Sequence, residues 1–199
     1  MFVGCSNLIT ANVLSATEMN GTYCCYEMFY KCKQLKNIPS DLFPLYVSDY
    51  SYYRMFEECE QIRETPKIHA NYLDVGACQN MFKSCIGLTS ISRLPFTLVS
   101  KDSCREMFRG CESLRQIPAL YATTLEEGCY FGMFQECEEL ILNYNSYGDY
   151  RIPYKNEGKF SSYSAEETAM NYMFWKDNYD GVMSPNINTR YSTGATIIE

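Results

Sequence analysis

Histidine is nearly missing from this chain of 199 residues: His69 stands alone, and there is a single tryptophan. That scarcity removes most histidine-based acid–base and zinc arrangements, because zinc sites draw on histidines or on locally paired cysteines. Positive charge is in deficit as well, with 17 Lys and Arg against 24 Asp and Glu and a net charge of −7. An acidic surface argues against nucleic acid or an anionic membrane as the main partner. No apolar run approaches the roughly eighteen residues of a membrane-crossing helix, so no membrane insertion is expected. The opening MFVGCSNLITANVLSATEMN has neither the basic region nor the continuous apolar stretch of a secretory signal. No G-x-S-x-G, phosphate-binding loop or G-x-G-x-x-G occurs. These absences point away from an enzyme, and no cofactor is expected.

Cysteine, tyrosine and phenylalanine are what the chain holds in quantity, at 11, 18 and 11 residues. Hydrophobic types reach 46%, enough for a packed core, which excludes disorder over the whole length. These residues recur in register. Met-Phe occurs at Met1, Met28, Met55, Met81, Met107, Met133 and Met173, with spacings of 27, 27, 26, 26, 26 and 40. Four residues after each of the first six methionines stands Cys5, Cys32, Cys59, Cys85, Cys111 or Cys137. Three further on comes Leu8, Leu35, Ile62, Leu88, Leu114 or Leu140. A second cysteine precedes Met-Phe by three or four residues at Cys24, Cys25, Cys78, Cys104 and Cys129, and the full unit reads C-x(2,3)-M-F-x-x-C-x-x-L-x-x-I-P.

A unit of this size cannot bury its apolar side alone, and stacking neighbours would align Phe on Phe, Leu on Leu and Cys on Cys. Within SCREMFRGC, Cys104, Met107, Phe108 and Cys111 are three or four apart, which predicts one short helix face per unit. The segment after it, SLRQIPAL, predicts a short strand stopped by Pro118. The fold class expected is an α/β repeat solenoid of about six coils over residues 1–142. Residues 143–199 are expected to hold a Tyr-rich insertion, a degenerate capping coil and a C-terminal strand through Ala195–Ile198. In that capping coil Ser164 and Glu167 have capping-box spacing, and Asp177 and Asp180 stand where cysteine and leucine are due. Because Met1 falls half-way through a unit, the chain reads as a piece of a longer array; a true start with a fraying first half-coil is the alternative.

The Met-Phe-x-x-Cys-x-x-Leu-x-x-Ile-Pro run, and GCYFGMFQEC ahead of Leu140, resemble the BspA-type (treponemal-type) leucine-rich repeat of gut-bacterial surface proteins and related phage genes. The resemblance spans about residues 1–142. It implies a right-handed solenoid with a strand-lined face, adhesion or protein binding, and a bacterial cell surface or virion as the location. The third unit departs from the pattern, with Ser51 and Tyr52 in place of the upstream cysteine and Thr65 in place of isoleucine.

The cysteines recur at fixed places along the repeat instead of in metal-binding pairs, so reduced structural thiols are expected and no metal. Only the vicinal Cys24–Cys25 invites a reactivity test, with one thiol inward and one outward. His69 in PKIHANYL reads as a loop histidine; the alternative, a general base for a thiol, lacks a local motif. Two surface features are candidates for binding a protein or glycan. One is the column after the buried leucine, Ile9, Lys36, Arg63, Thr89, Arg115 and Ile141, in which Lys36, Arg63 and Arg115 are basic. The other is the inserted segment with Tyr144, Tyr147, Tyr150, Arg151 and Tyr154, where Tyr147, Tyr150, Arg151 and Tyr154 are the expected contacts, since clustered tyrosines supply contact area at low entropic cost. Packing over the last coil is the alternative for these tyrosines, and solubilising charge for the basic column. The function expected is non-catalytic recognition, by surface adhesion or phage attachment; a structural spacer within a bacterial or virion appendage is the alternative.

Overall fold

A computed structural model describes residues 1–11, 21–38, 46–116, 118, 120–122, 124–140, 175–177 and 183–185. Four two-residue strands, β1 (Tyr46–Val47), β2 (Tyr72–Leu73), β3 (Leu98–Val99) and β4 (Thr124–Leu125), form a parallel sheet in the order β1-β2-β3-β4. Its register places Tyr46 beside Tyr72, Leu98 and Thr124, and Val47 beside Leu73, Val99 and Leu125. Alternate side chains of a strand face opposite ways. Accordingly Val47, Leu73, Val99 and Leu125 are buried, while Tyr46 and Leu98 face out. Successive units therefore lie one above another, each contributing one short rung.

Around Met-Phe, where the spacing predicts a helix, the chain instead forms a ribbon of overlapping β-turns, and there is no helix among the described residues. In the unit around Met81, every second amide bonds three residues back, as in Met81 N–H to Cys78 O at 3.2 Å and Cys85 N–H to Phe82 O at 3.1 Å. The intervening amides reach the next unit, as in Cys78 N–H to Ser103 O at 2.8 Å and Phe82 N–H to Met107 O at 2.9 Å. Since the C=O and N–H of a trans peptide point opposite ways, the Met81–Phe82 peptide links three units at once. Its carbonyl accepts from Phe56 N–H at 2.9 Å below, and its amide donates above. Every fourth residue is left-handed, for example Gly76 (φ 60°), Asn80 (φ 57°) and Ser84 (φ 56°). Such a residue ends any helical run, and it costs about 1–2 kcal/mol outside glycine and asparagine. Gly76 earns its place twice, because a Cβ there would also run into the Tyr50 ring.

The core is a set of columns. Phe2, Phe29, Phe56, Phe82, Phe108 and Phe134 stack face to face at 5.3–5.6 Å between ring centroids. Beside them Cys32, Cys59, Cys85, Cys111 and Cys137 are buried, and so are Leu35, Ile62, Leu88, Leu114 and Leu140. The cysteine position has a hydrogen-bonding reason. Each thiol donates to the phenylalanine carbonyl of the preceding unit: Cys59 to Phe29 O at 3.1 Å, Cys85 to Phe56 O at 3.1 Å, Cys111 to Phe82 O at 3.2 Å. That carbonyl also accepts the in-unit amide, so both of its lone pairs are used.

The departures of the third unit are absorbed by the same columns. Ser51 and Tyr52 are fully buried, and Ser51 Oγ donates to Ser48 O at 2.8 Å. Thr65 is buried, with its Oγ1 accepting from Ser92 N–H at 2.8 Å. Further along the chain, β5 (Trp175–Asp177) pairs antiparallel with β6 (Met183–Pro185). The degenerate capping coil is expected over this stretch, most of which lies outside the described residues. Ser164, Asp180 and the strand through Ala195–Ile198 lie outside the described residues.

Candidate functional site

Tyr144, Tyr147, Tyr150, Arg151 and Tyr154 lie outside the described residues, as does Ile141. The basic column is described through Arg115, and its members are exposed. They do not form one continuous basic stripe. Thr89 separates Arg63 from Arg115, Arg115 Nε is held by Glu139 Oε2 at 2.9 Å, and Arg63 Nη1 donates to Gly87 O at 2.8 Å. Lys36 has no acidic partner among the described residues.

Elsewhere, cations and carboxylates alternate along the stack. Arg54 Nη1 reaches Glu27 Oε1 at 2.7 Å in the unit before it, and Arg54 Nε reaches Glu57 Oε2 at 2.6 Å. Lys83 pairs with Glu106 at 2.6 Å, Arg109 with Glu136 at 2.6 Å, and Lys101 with Glu127 at 2.7 Å. Paired acids such as Glu57 and Glu58 are thus taken up by ion pairs, Glu57 within its own unit and Glu58 with the unit before it. Both flank a cation: Glu57 faces Arg54, and Glu58 lies 3.5 Å from Lys31 Nζ.

One cleft breaks this alternation. Lys67, Ile68, His69, Ser92, Arg93 and Pro95 line an open cavity of about 480 Å³. Lys67 and Arg93 each stand twelve residues after their Met-Phe methionine, so they occupy the same position in adjacent units. The Arg93 guanidinium lies over the Tyr121 ring, 5.0 Å from its centroid. Ile68 is buried beneath, whereas Lys67, His69 and Arg93 are exposed. None of the cysteines lines this cleft.

A second surface is aromatic, and the sequence reading passed over it. Tyr23 stacks on Tyr50 at 5.4 Å and Tyr26 on Tyr53 at 5.0 Å. Tyr23 meets Tyr26 edge-on at 5.6 Å. Tyr23 and Tyr26 are 54% and 41% exposed, which sets them apart from the buried phenylalanine column. The Arg54 guanidinium sits 4.3 Å from the Tyr30 centroid at the border of this patch. On the sheet face, Tyr46 stacks on Tyr72 at 5.3 Å, and Tyr46 Oη donates to Asp74 Oδ2. The signal was present: Tyr23 and Tyr50 precede their methionines by five residues, Tyr26 and Tyr53 by two.

Nine cysteines are buried, and Cys5 and Cys24 are exposed. Cys24 Sγ lies 3.9 Å from Cys25 Sγ, with Cys25 inside. Burial pushes the Cys25 thiol up to about 12 and Cys85, Cys104, Cys111 and Cys129 well above the ordinary value. A thiol kept protonated is a poor nucleophile. Native protein should therefore present two fast-reacting thiols to a disulfide reagent at pH 8, and the denatured chain all 11. More than two fast thiols in the native state would mean that the columns open readily.

No family model, no curated protein and no solved structure matches this chain.

Proposed function

We propose that this chain is a leucine-rich-repeat-like solenoid serving non-catalytic recognition, by surface adhesion or phage attachment through a protein or glycan. The observation that carries the reading is the stacked tyrosine pairs of the first two full units, Tyr23 on Tyr50 and Tyr26 on Tyr53, of which Tyr23 and Tyr26 are exposed. Further along, the equivalent positions hold Gly76, Asp102 and Gly128 in one column and Gln79, Arg105 and Phe131 in the other. Tyrosine supplies apolar contact area and a hydroxyl together, and it is enriched where interfaces hold their energy. Tyr147, Tyr150, Arg151 and Tyr154 carry the same proposal for the C-terminal segment, with Lys36, Arg63 and Arg115 as a weaker site.

The test measures attachment of the labelled chain to a panel of bacterial cells and to a glycan array. Tyr23→Ala with Tyr26→Ala should lower binding at least tenfold while leaving the melting temperature within a few degrees, because both rings are largely outside the core. Tyr147→Ala with Tyr150→Ala examines the C-terminal patch in the same assay. The spacer reading draws support from the ion pairs that join neighbouring units, which stiffen a stack whatever its surface. Undiminished attachment by both double variants, or no attachment by the unaltered chain, moves that reading ahead.

A further inference from the structure

The twelve lysines and arginines whose side chains are described divide unequally. Eight of them, Lys31, Lys33, Arg54, Lys83, Lys101, Arg105, Arg109 and Arg115, lie against a carboxylate. Among the described residues, the other four, Lys36, Arg63, Lys67 and Arg93, have no carboxylate partner. Two of those four, Lys67 and Arg93, face one cleft from adjacent units. In a protein of net charge −7, with carboxylates facing cations at most other stacked positions, two like charges in succession are an arrangement that an anion would complete.

The walls specify the anion further. Arg93 is braced on Tyr121, which pre-orients its planar fork for a carboxylate. Ser92 Oγ donates its proton to Thr65 O at 3.0 Å, which leaves its lone pairs to accept from a hydroxyl. Ile68 and Pro95 supply apolar surface on the same cleft. A bare oxyanion would use none of that surface and would leave most of about 480 Å³ unfilled. An extended peptide would need main-chain partners, yet the Ser92 amide is already committed to Thr65 Oγ1 at 2.8 Å.

We propose that the cleft of Lys67, His69, Ser92, Arg93, Ile68 and Pro95 binds a carboxylate-bearing sugar residue, a uronate or sialate, with Lys67 and Arg93 on the carboxylate and the apolar wall under the ring. The site is separate from the tyrosine pairs and does not depend on them.

The experiment is titration of the whole chain with glucuronate- and sialate-terminated oligosaccharides, with the methyl ester of each as the neutral analogue, and with inorganic phosphate and sulfate. Acid-terminated sugars should bind at least tenfold more tightly than their esters. Lys67→Ala and Arg93→Ala should each lose tenfold or more, while Lys33→Ala, paired with Glu60 away from the cleft, should bind as before. Equal binding of acid and ester overturns the proposal, as does unchanged binding by both cleft variants. Phosphate or sulfate binding as tightly as the sugars reduces the cleft to a simple anion site and overturns the sugar assignment. Absence of any binding refutes it outright, whatever the tyrosine variants do in the attachment assay.

Discussion

Raising the pH from 8 to 10 should unfold this protein. Nine of its thiols are buried, and burial raises the ones in the core columns, Cys59, Cys78, Cys85, Cys104, Cys111, Cys129 and Cys137, above their ordinary value near 9. A group whose folded pKa is raised contributes stability that is intact below the unfolded pKa and is lost as pH climbs toward the folded value. The loss therefore begins near pH 9, where the unfolded thiols ionise and the folded ones resist. One pH unit above the ordinary value, each such thiol favours the unfolded chain by about 1.4 kcal/mol. Several together match the whole stability of a domain, about 5–15 kcal/mol. The buried Tyr52 and Tyr130, also raised by burial, add to the same trend at higher pH. Denaturant melts at pH 7, 8, 9 and 10 under reducing conditions measure it. Replacing Cys85 and Cys111 by alanine should lower stability at pH 7 yet shrink the fall between pH 8 and 10. A stability that stays flat to pH 10 would show that the thiols are already ionised or accessible in the folded chain.

Cys85→Asp should cost about 3–5 kcal/mol, a large share of the about 5–15 kcal/mol that holds a domain folded. Cys85 is fully buried, and its thiol donates to the Phe56 carbonyl at 3.1 Å. An ionised carboxylate there is an acceptor facing an acceptor, with the Phe82 ring column beside it. Protonation would spare the charge and leave a misfitted group in a column built for sulfur. Cys85→Ala is the informative contrast. It removes one donor, but the Phe56 carbonyl keeps the Cys59 amide at 3.0 Å, so the loss should be about 1–2 kcal/mol. Urea melts of the two variants separate the contributions. Equal, small losses for both would mean that position 85 is not held in the core.

The periodic part of this architecture is legible in one dimension. Met-Phe-x-x-Cys-x-x-Leu sets a register, and a register is enough to name the buried columns, because each unit touches only its neighbours and like must stack on like. Phe29, Phe56, Phe82, Phe108 and Phe134 follow from it, whereas which of Cys24 and Cys25 turns inward is read only from the structure. The backbone that carries them does not follow. A spacing of three and four residues suits an α-helix and a ribbon of β-turns equally. The choice rests on amides such as Phe82 N–H, which bond to a unit 25 residues further along the chain and not within their own turn. Left-handed residues at Glu27, Arg54 and Glu106 have no sequence signal at all, since nothing in those side chains prefers φ near 50°. The ribbon imposes it, and the hydrogen bonds between units offset the strain. Surface chemistry divides in the same way. That Lys67 and Arg93 share a position is readable from their equal distance to Met-Phe. That they meet in one cleft while Arg54, Lys83 and Arg109 are neutralised depends on where the long side chains of neighbouring units come to rest. Columns are a property of the repeat, which the chain carries along its length; charge pairing and backbone conformation are properties of the contact between units, which exist only once the units have stacked.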